Sequence, residues 1–201
     1  MSTDTSSSRI ADIAVGQHVA LSASTAPAAS PINGLHHFAY RCRDAEETRH
    51  FYEDILGLPL FHYIRADIVP STGEYCPYVH IFFRMTDGSC LAFFDLGDNV
   101  LPQPSPNTPE WVNHIALRVD TVAQLETMKT RLEAHGIAVL GVTDHRVFQS
   151  IYFFDPNGIR LELCAQLASD AQMNNEKKGI HEKIAAWSKE KAERLALPPA
   201  G

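Results

Sequence analysis

A chain of 201 residues with 45% apolar content is long enough to bury a core, as one compact domain or as two small ones packed together. Its net charge of -7, with no basic stripe, gives no electrostatic support to nucleic-acid or anionic-membrane binding and points to a small-molecule or protein partner. No apolar run approaches membrane-spanning length, and Cys42, Cys76, Cys90 and Cys164 lie scattered in or beside apolar runs without metal-type spacing, which suits reduced thiols in the cytoplasm.

Residues 1–33, dominated by Ser, Ala and Thr, with Asp4 and Asp12 and no lysine-rich start, read as a disordered or loosely packed leader rather than a signal peptide. The stretch from 34 to 97 reads as βαβββ. A strand-like His37-x-Ala39-x-Arg41 run leads to an N-cap at Asp44 with Glu47 as capping-box partner. The helix that follows carries an apolar stripe of Phe51, Ile55 and Leu56 and stops at Gly57. After an insertion through "RADIVPSTGEYCP" come strand, glycine turn and strand in "IFFRMTDGSCLAFF". A linker with four prolines spans 98–110.

From 111 to 167 the pattern returns. His114-x-Ala116-x-Arg118 precedes a capping box of Thr121 and Gln124, a helix striped by Val122, Leu125, Met128 and Leu132, and a stop at Gly136. "IYFFDPNGIRLEL" then forms a hairpin in which Pro156 presets φ and Gly158 supplies positive φ. Residues 168–201 read as a helical tail with Ile180, Ile184 and Trp187 on one side, a stripe for packing on its own domain or on a twin subunit. His18, His135 and His181 stand outside the pattern and are expected in solvent.

Aligning Gly88 with Gly158 makes Phe82 the counterpart of Tyr152 and Ala92 that of Glu162, while His37 and His114 take equivalent strand positions. The matching registers favour His37 over His36 as the inward residue. Glu162, between Leu161 and Leu163, is an expensive carboxylate unless it sits at the surface or meets something positive.

Paired βαβββ units with a His on each first strand and a Glu on the last resemble the vicinal oxygen chelate superfamily, which includes glyoxalase I, extradiol dioxygenases and metal-free bleomycin-resistance proteins. The resemblance covers residues about 35 to 165. It implies an α+β fold of two tandem βαβββ modules forming a curved mixed sheet around a metal cavity, with His37, His114 and Glu162 as ligands. The fourth ligand place falls on Ala92, whose methyl cannot bind metal. Two His and one carboxylate suit non-heme Fe(II) oxygenases, with Mn(II) or another divalent metal as substitutes.

The run Thr143-x-His145, Ile151-Tyr152, Asp155-Pro156-x-Gly158 and Glu162 resembles the signature of type I extradiol dioxygenases. That likeness implies cleavage of a small aromatic diol with O2 by a homo-oligomeric enzyme, with His145 and Tyr152 catalytic. These enzymes commonly carry a further acid-base His near Ala92 and Phe94, where this chain has none. His80, which shares a face with Phe82, is the candidate substitute, the alternative being a His near the insertion that only packs. Tyr78, Phe82, Ala92 and Phe94 would wall the substrate pocket. The alternatives are a glyoxalase-like isomerase or lyase, or a metal-free small-molecule-binding protein of the same fold.

Overall fold

Two runs of alternating apolar residues, each broken by one amphipathic helix, yield two four-stranded mixed sheets. The computed structural model describes residues 32, 34–176 and 178–196, so the expected leader lies almost wholly outside the described residues. All the elements below belong to the unit Leu35–Gly201. In the first module, β1 (His37–Cys42), α1 (Ala45–Arg49), β2 (Leu60–Ile68), β3 (Tyr75–Arg84) and β4 (Cys90–Asp95) give the sheet order β1-β4-β3-β2. The second repeats it with β5 (Ile115–Val119), α2 (Val122–Ala134), β6 (Leu140–Asp144), β7 (Phe148–Phe154) and β8 (Arg160–Gln166), ordered β5-β8-β7-β6. The tail folds as α3 (Asp170–Glu176) and α4 (Ile180–Ala196), with Ile180, Ile184 and Trp187 exposed. No helix among the described residues is long and apolar enough to cross a membrane.

The two modules agree in register where it matters. Ala39 pairs with Ala92 and Ala116 with Glu162 across the parallel β1/β4 and β5/β8 ladders, and Phe82 faces Ala92 as Tyr152 faces Glu162. In the helices the two modules differ. Thr121 and Gln124 close a full capping box, but Glu47 turns its carboxylate to Arg43, leaving only the bond from its backbone N–H to Asp44 (2.7 Å). The first helix, expected as one α-helix to Gly57, changes after Arg49 to a π-wound segment, His50–Ile55. Leu56 N–H reaches the Phe51 carbonyl at 2.9 Å, one residue farther than an α-helix allows, and the wider turn brings adjacent Phe51 and Tyr52 both inside.

One core serves both modules. Phe51, Tyr52, Phe83, Leu91 and Phe93 from the first join Leu125, Leu132, Ile151, Phe153 and Leu161 from the second. The β7–β8 turn locks this junction: the Asp155 carboxylate accepts from the Tyr52 hydroxyl (3.0 Å) and from the Asn157 and Ile159 N–H groups (2.9 and 2.7 Å). Asn157 donates to Thr48 Oγ1 (3.2 Å) and accepts from the Arg43 N–H (2.9 Å). Burial nonetheless holds Asp155 above the usual carboxylate range, so each donor counts. Tyr52→Phe keeps the packed ring and removes one donor from a buried acid. It is expected to cost about 1–3 kcal/mol in urea unfolding, with both modules melting together.

Candidate functional site

Strand alternation decides which side chains can form a site. On β3 and β4, Ile81, Phe83, Leu91 and Phe93 enter the core, so His80, Phe82, Ala92 and Phe94 occupy the opposite face. On β7 and β8, Ile151, Phe153, Leu161 and Leu163 do the same, which leaves Ser150, Tyr152, Arg160, Glu162 and Cys164 on the outer side. The common core thus lies behind both polar faces.

On the second module, Glu162 is only 4% exposed and is met from three sides. His114 Nε2 stands 2.9 Å from its Oε2, the Tyr152 hydroxyl donates to Oε1 at 3.1 Å, and the Ser150 hydroxyl donates to the same oxygen. Glu162 is therefore not a surface acid: the side chain that faces its second oxygen is His114. His114 Nδ1 lies 3.0 Å from the Val112 carbonyl, which can only accept, so Nδ1 carries a proton and Nε2 is the nitrogen turned to the carboxylate. Two lone-pair-bearing atoms 2.9 Å apart need a proton or a cation between them, and this pairing suits either.

Tyr152 donates to Glu162, so its oxygen accepts from His145 Nε2 at 2.8 Å, giving a directed chain from His145 through Tyr152 to Glu162. Burial, then the Glu162 carboxylate, push the Tyr152 phenol above its usual range and keep it protonated. Gly141 makes room for the arrangement. It has φ +110, and a Cβ there would stand 2.7 Å from the Ser150 carbonyl, so only glycine lets β6 press against the strand that carries Ser150 and Tyr152.

The first module presents a different surface. The His37 ring lies 6.2 Å from that of His80 and 5.6 Å from Phe82, and its Nδ1 is 2.7 Å from His36 Nδ1. His80 stacks on Phe94 at 3.6 Å and leans on Phe82 at 4.1 Å. Tyr78 packs edge-on against Phe94 at 5.3 Å, and Ala92 is buried with Phe82 and Cys90. The His80 Nε2 is buried without a hydrogen-bond partner. Burial, followed by the proximity of His37 and His62, pushes its pKa down to about 4, so the ring is neutral.

The six residues His114, Glu162, Tyr152, His145, Ser150 and Arg160 gather on one face, and His37, His80, Phe82, Phe94 and Tyr78 on another. The structure does not bring His37 to His114 and Glu162: among the described residues no three His, Cys, Asp or Glu side chains are placed to hold a metal ion. Imidazole and carboxylate are apt donors for a divalent cation, and His114 and Glu162 fit one, but the third ligand does not reach it within one chain. Sequence reading missed Ser150, although its two-residue spacing from Tyr152 places it on the same face. It also missed Arg160, whose guanidinium carbon lies 4.6 Å above the Tyr152 ring.

The family model described as Glyoxalase/Bleomycin resistance protein/Dioxygenase superfamily matches residues 34–163. The Bacillus subtilis (strain 168) protein named "Putative ring-cleaving dioxygenase MhqA" is 27% identical over 138 residues, 67% of this chain, and the chain spans 40% of that relative's length. Among solved structures, a glyoxalase/dioxygenase from Nostoc punctiforme is 26% identical, covering 73% of this chain and 100% of its own, with a TM-score of 0.50. The glyoxylase/bleomycin resistance protein/dioxygenase domain from Frankia sp. EAN1pec (18% identical, 68% and 99% covered, TM-score 0.55) and the trypanothione-dependent glyoxalase I of Leishmania major (16%, 81% and 99%, 0.51) share the fold. With its tandem modules, their matched registers and a family model covering both, this chain belongs to the glyoxalase/bleomycin resistance/dioxygenase superfamily.

Proposed function

We propose that the chain is a metal-dependent dioxygenase of the extradiol type, acting on a catecholic ring with O2, and that each site is built from two copies of the chain. One copy brings His37, backed by Phe82 and His80, and the other brings His114 and Glu162 with Tyr152 and His145. The observation that carries this reading is the directed hydrogen-bond chain from His145 through Tyr152 to a buried Glu162 that His114 also faces. A structural acid would need donors but no imidazole–phenol relay beside it. The likeness to a Bacillus protein named for ring cleavage supports the same reaction class.

A divalent metal at two imidazoles and a carboxylate would supply Lewis acidity toward both oxygens of a vicinal diol and, as Fe(II), electrons for dioxygen, with Mn(II) an acceptable substitute. The Val112 carbonyl fixes the His114 tautomer so that Nε2 is the ligating nitrogen, and Ser150 and Tyr152 orient the Glu162 carboxylate. Tyr152, protonated and anchored, offers its oxygen to a substrate hydroxyl, and His145 supplies or removes a proton at that oxygen. Phe82, Phe94 and Tyr78 exclude water from an aromatic ring. Two copies are invoked because the triad is incomplete in one, and because β2 leaves Phe61, Tyr63 and Ile64 exposed beside the first half-site. Four free thiols suit the cytoplasm.

A second reading, a metal-free binding protein, is favoured by that same absence of a three-donor group among the described residues. Complementation separates the two. Wild-type protein is expected to bind Fe(II) or Mn(II), and the homogeneous His37→Ala and Glu162→Gln variants to lose it. A doubly tagged mixed dimer of the two variants should recover half the wild-type metal, since one of its sites is intact. No metal on wild type favours the metal-free protein, and no recovery in the mixed dimer places all three ligands in one chain.

Tyr152→Phe and His145→Asn are expected to retain metal and to lose about 10²-fold or more in turnover of an accepted catechol, followed with an oxygen electrode. Unchanged turnover removes the relay from the mechanism. The buried neutral His80 gives a pH signature. Its folded pKa of about 4 lies below the ordinary 6.5, so its contribution to stability is present above 6.5 and lost as pH falls toward 4. Its ring resonances should titrate near pH 4, and His80→Phe should flatten the acid loss of stability over that window.

A further inference from the structure

We propose that Arg160 reads an anionic group, so that the ligand of this face is an aromatic acid: a ring that carries a carboxylate. The inference rests on the proposed function only in taking the ring to lie beside Tyr152. Arg160 opens β8 and lays its guanidinium over the Tyr152 ring, 4.6 Å from the centroid. There it has no acid to hold. Arg41, Arg43, Arg49 and Arg65 each hold a carboxylate, but no ion pair involves Arg160 among the described residues, and its Nε is buried without a hydrogen-bond partner. The nearest acid on its own strand, Glu162, is already satisfied by His114, Ser150 and Tyr152.

Among the described residues no protein group satisfies the guanidinium at Nε, and the cavity that Arg160 borders defines the partner that the accessible part of the side chain can take. Arg160 borders an open cavity of about 280 Å³ whose other walls include Val139, Leu140, Tyr152, Phe153 and Phe154. Ligand pockets begin at about 300 Å³, so this one suits a single ring. Its walls are hydrocarbon and aromatic, and its one cation is planar, weakly hydrated and forked for two carboxylate oxygens. The Tyr152 ring beneath the guanidinium carbon restrains the side chain and so prepares it for such a partner. In a chain of net charge -7 an anionic ligand is not drawn in by the overall field, which makes a local cation decisive for it.

Benzoate tests this separately from the metal, because it lacks the vicinal hydroxyls and is offered to protein stripped of metal. Calorimetric titration of chelator-treated wild-type protein at low salt is expected to show saturable benzoate binding that weakens as KCl is raised. Arg160→Gln should weaken it about 10-fold or more, Arg160→Lys less, and benzyl alcohol, which matches the ring without the charge, should bind all three alike. Circular dichroism checks that the variants fold. Equal benzoate affinity in wild type and Arg160→Gln, no saturable binding to wild type, or an equal loss for benzyl alcohol overturns the proposal. Failure of the metal reading appears instead in the mixed-dimer experiment and leaves the benzoate result standing.

Discussion

Everything about the site follows from how one core is shared. Phe51, packed 6.4 Å from Phe153, and Tyr52, bonded to Asp155, commit the helix-facing side of each sheet to a common interior. Strand alternation then leaves no choice: every second residue of β3, β4, β7 and β8 must face outward, and among those residues are His80, Tyr152, Arg160 and Glu162. Polar chemistry collects on two surfaces because the apolar side of each sheet is already occupied.

Within the second surface, the burial of Glu162 governs the rest. A carboxylate 4% exposed between Leu161 and Leu163 requires compensation, and it is met by a hydroxyl, a phenol and an imidazole rather than by a lysine or arginine. A fixed cation would lock the site as a salt bridge. An imidazole can give up the bridging proton and accept a metal in its place, so the partners of Glu162 keep the site exchangeable.

Much of this was legible in the sequence because it depends on period. The repeat made Ala92 the counterpart of Glu162 and Phe82 that of Tyr152 through spacing alone, and the strand registers agree; the face shared by His80 and Phe82 followed from alternation. Thr121 and Gln124 announced their capping box. What escaped was what depends on contacts distant in the chain. Asp155 and Asn157 look like ordinary turn residues, and nothing local says that they meet Tyr52 and Thr48 of the other module. The π-wound segment after Arg49 escaped too, since Phe51 and Tyr52 side by side fit a helical stripe poorly and only the shared core explains why both are buried. Whether His37 and His114 meet within one chain is a question of how modules dock, which no periodicity encodes.

The Asp155 turn also bears on how the chain reaches its native state. Its bonds join residues 103 and 109 positions apart, so the loop they close spans half the protein and its entropy must be lost before the contacts repay it. Each module can form its local hairpin early, and the turn supplies Asp155 with the Asn157 and Ile159 donors, but the Tyr52 hydroxyl reaches it only when both modules are nearly complete. Assembly of the two halves is therefore the late step, and the turn at residues 155–158 acts as a proofreading element that rewards only a chain whose modules have both folded.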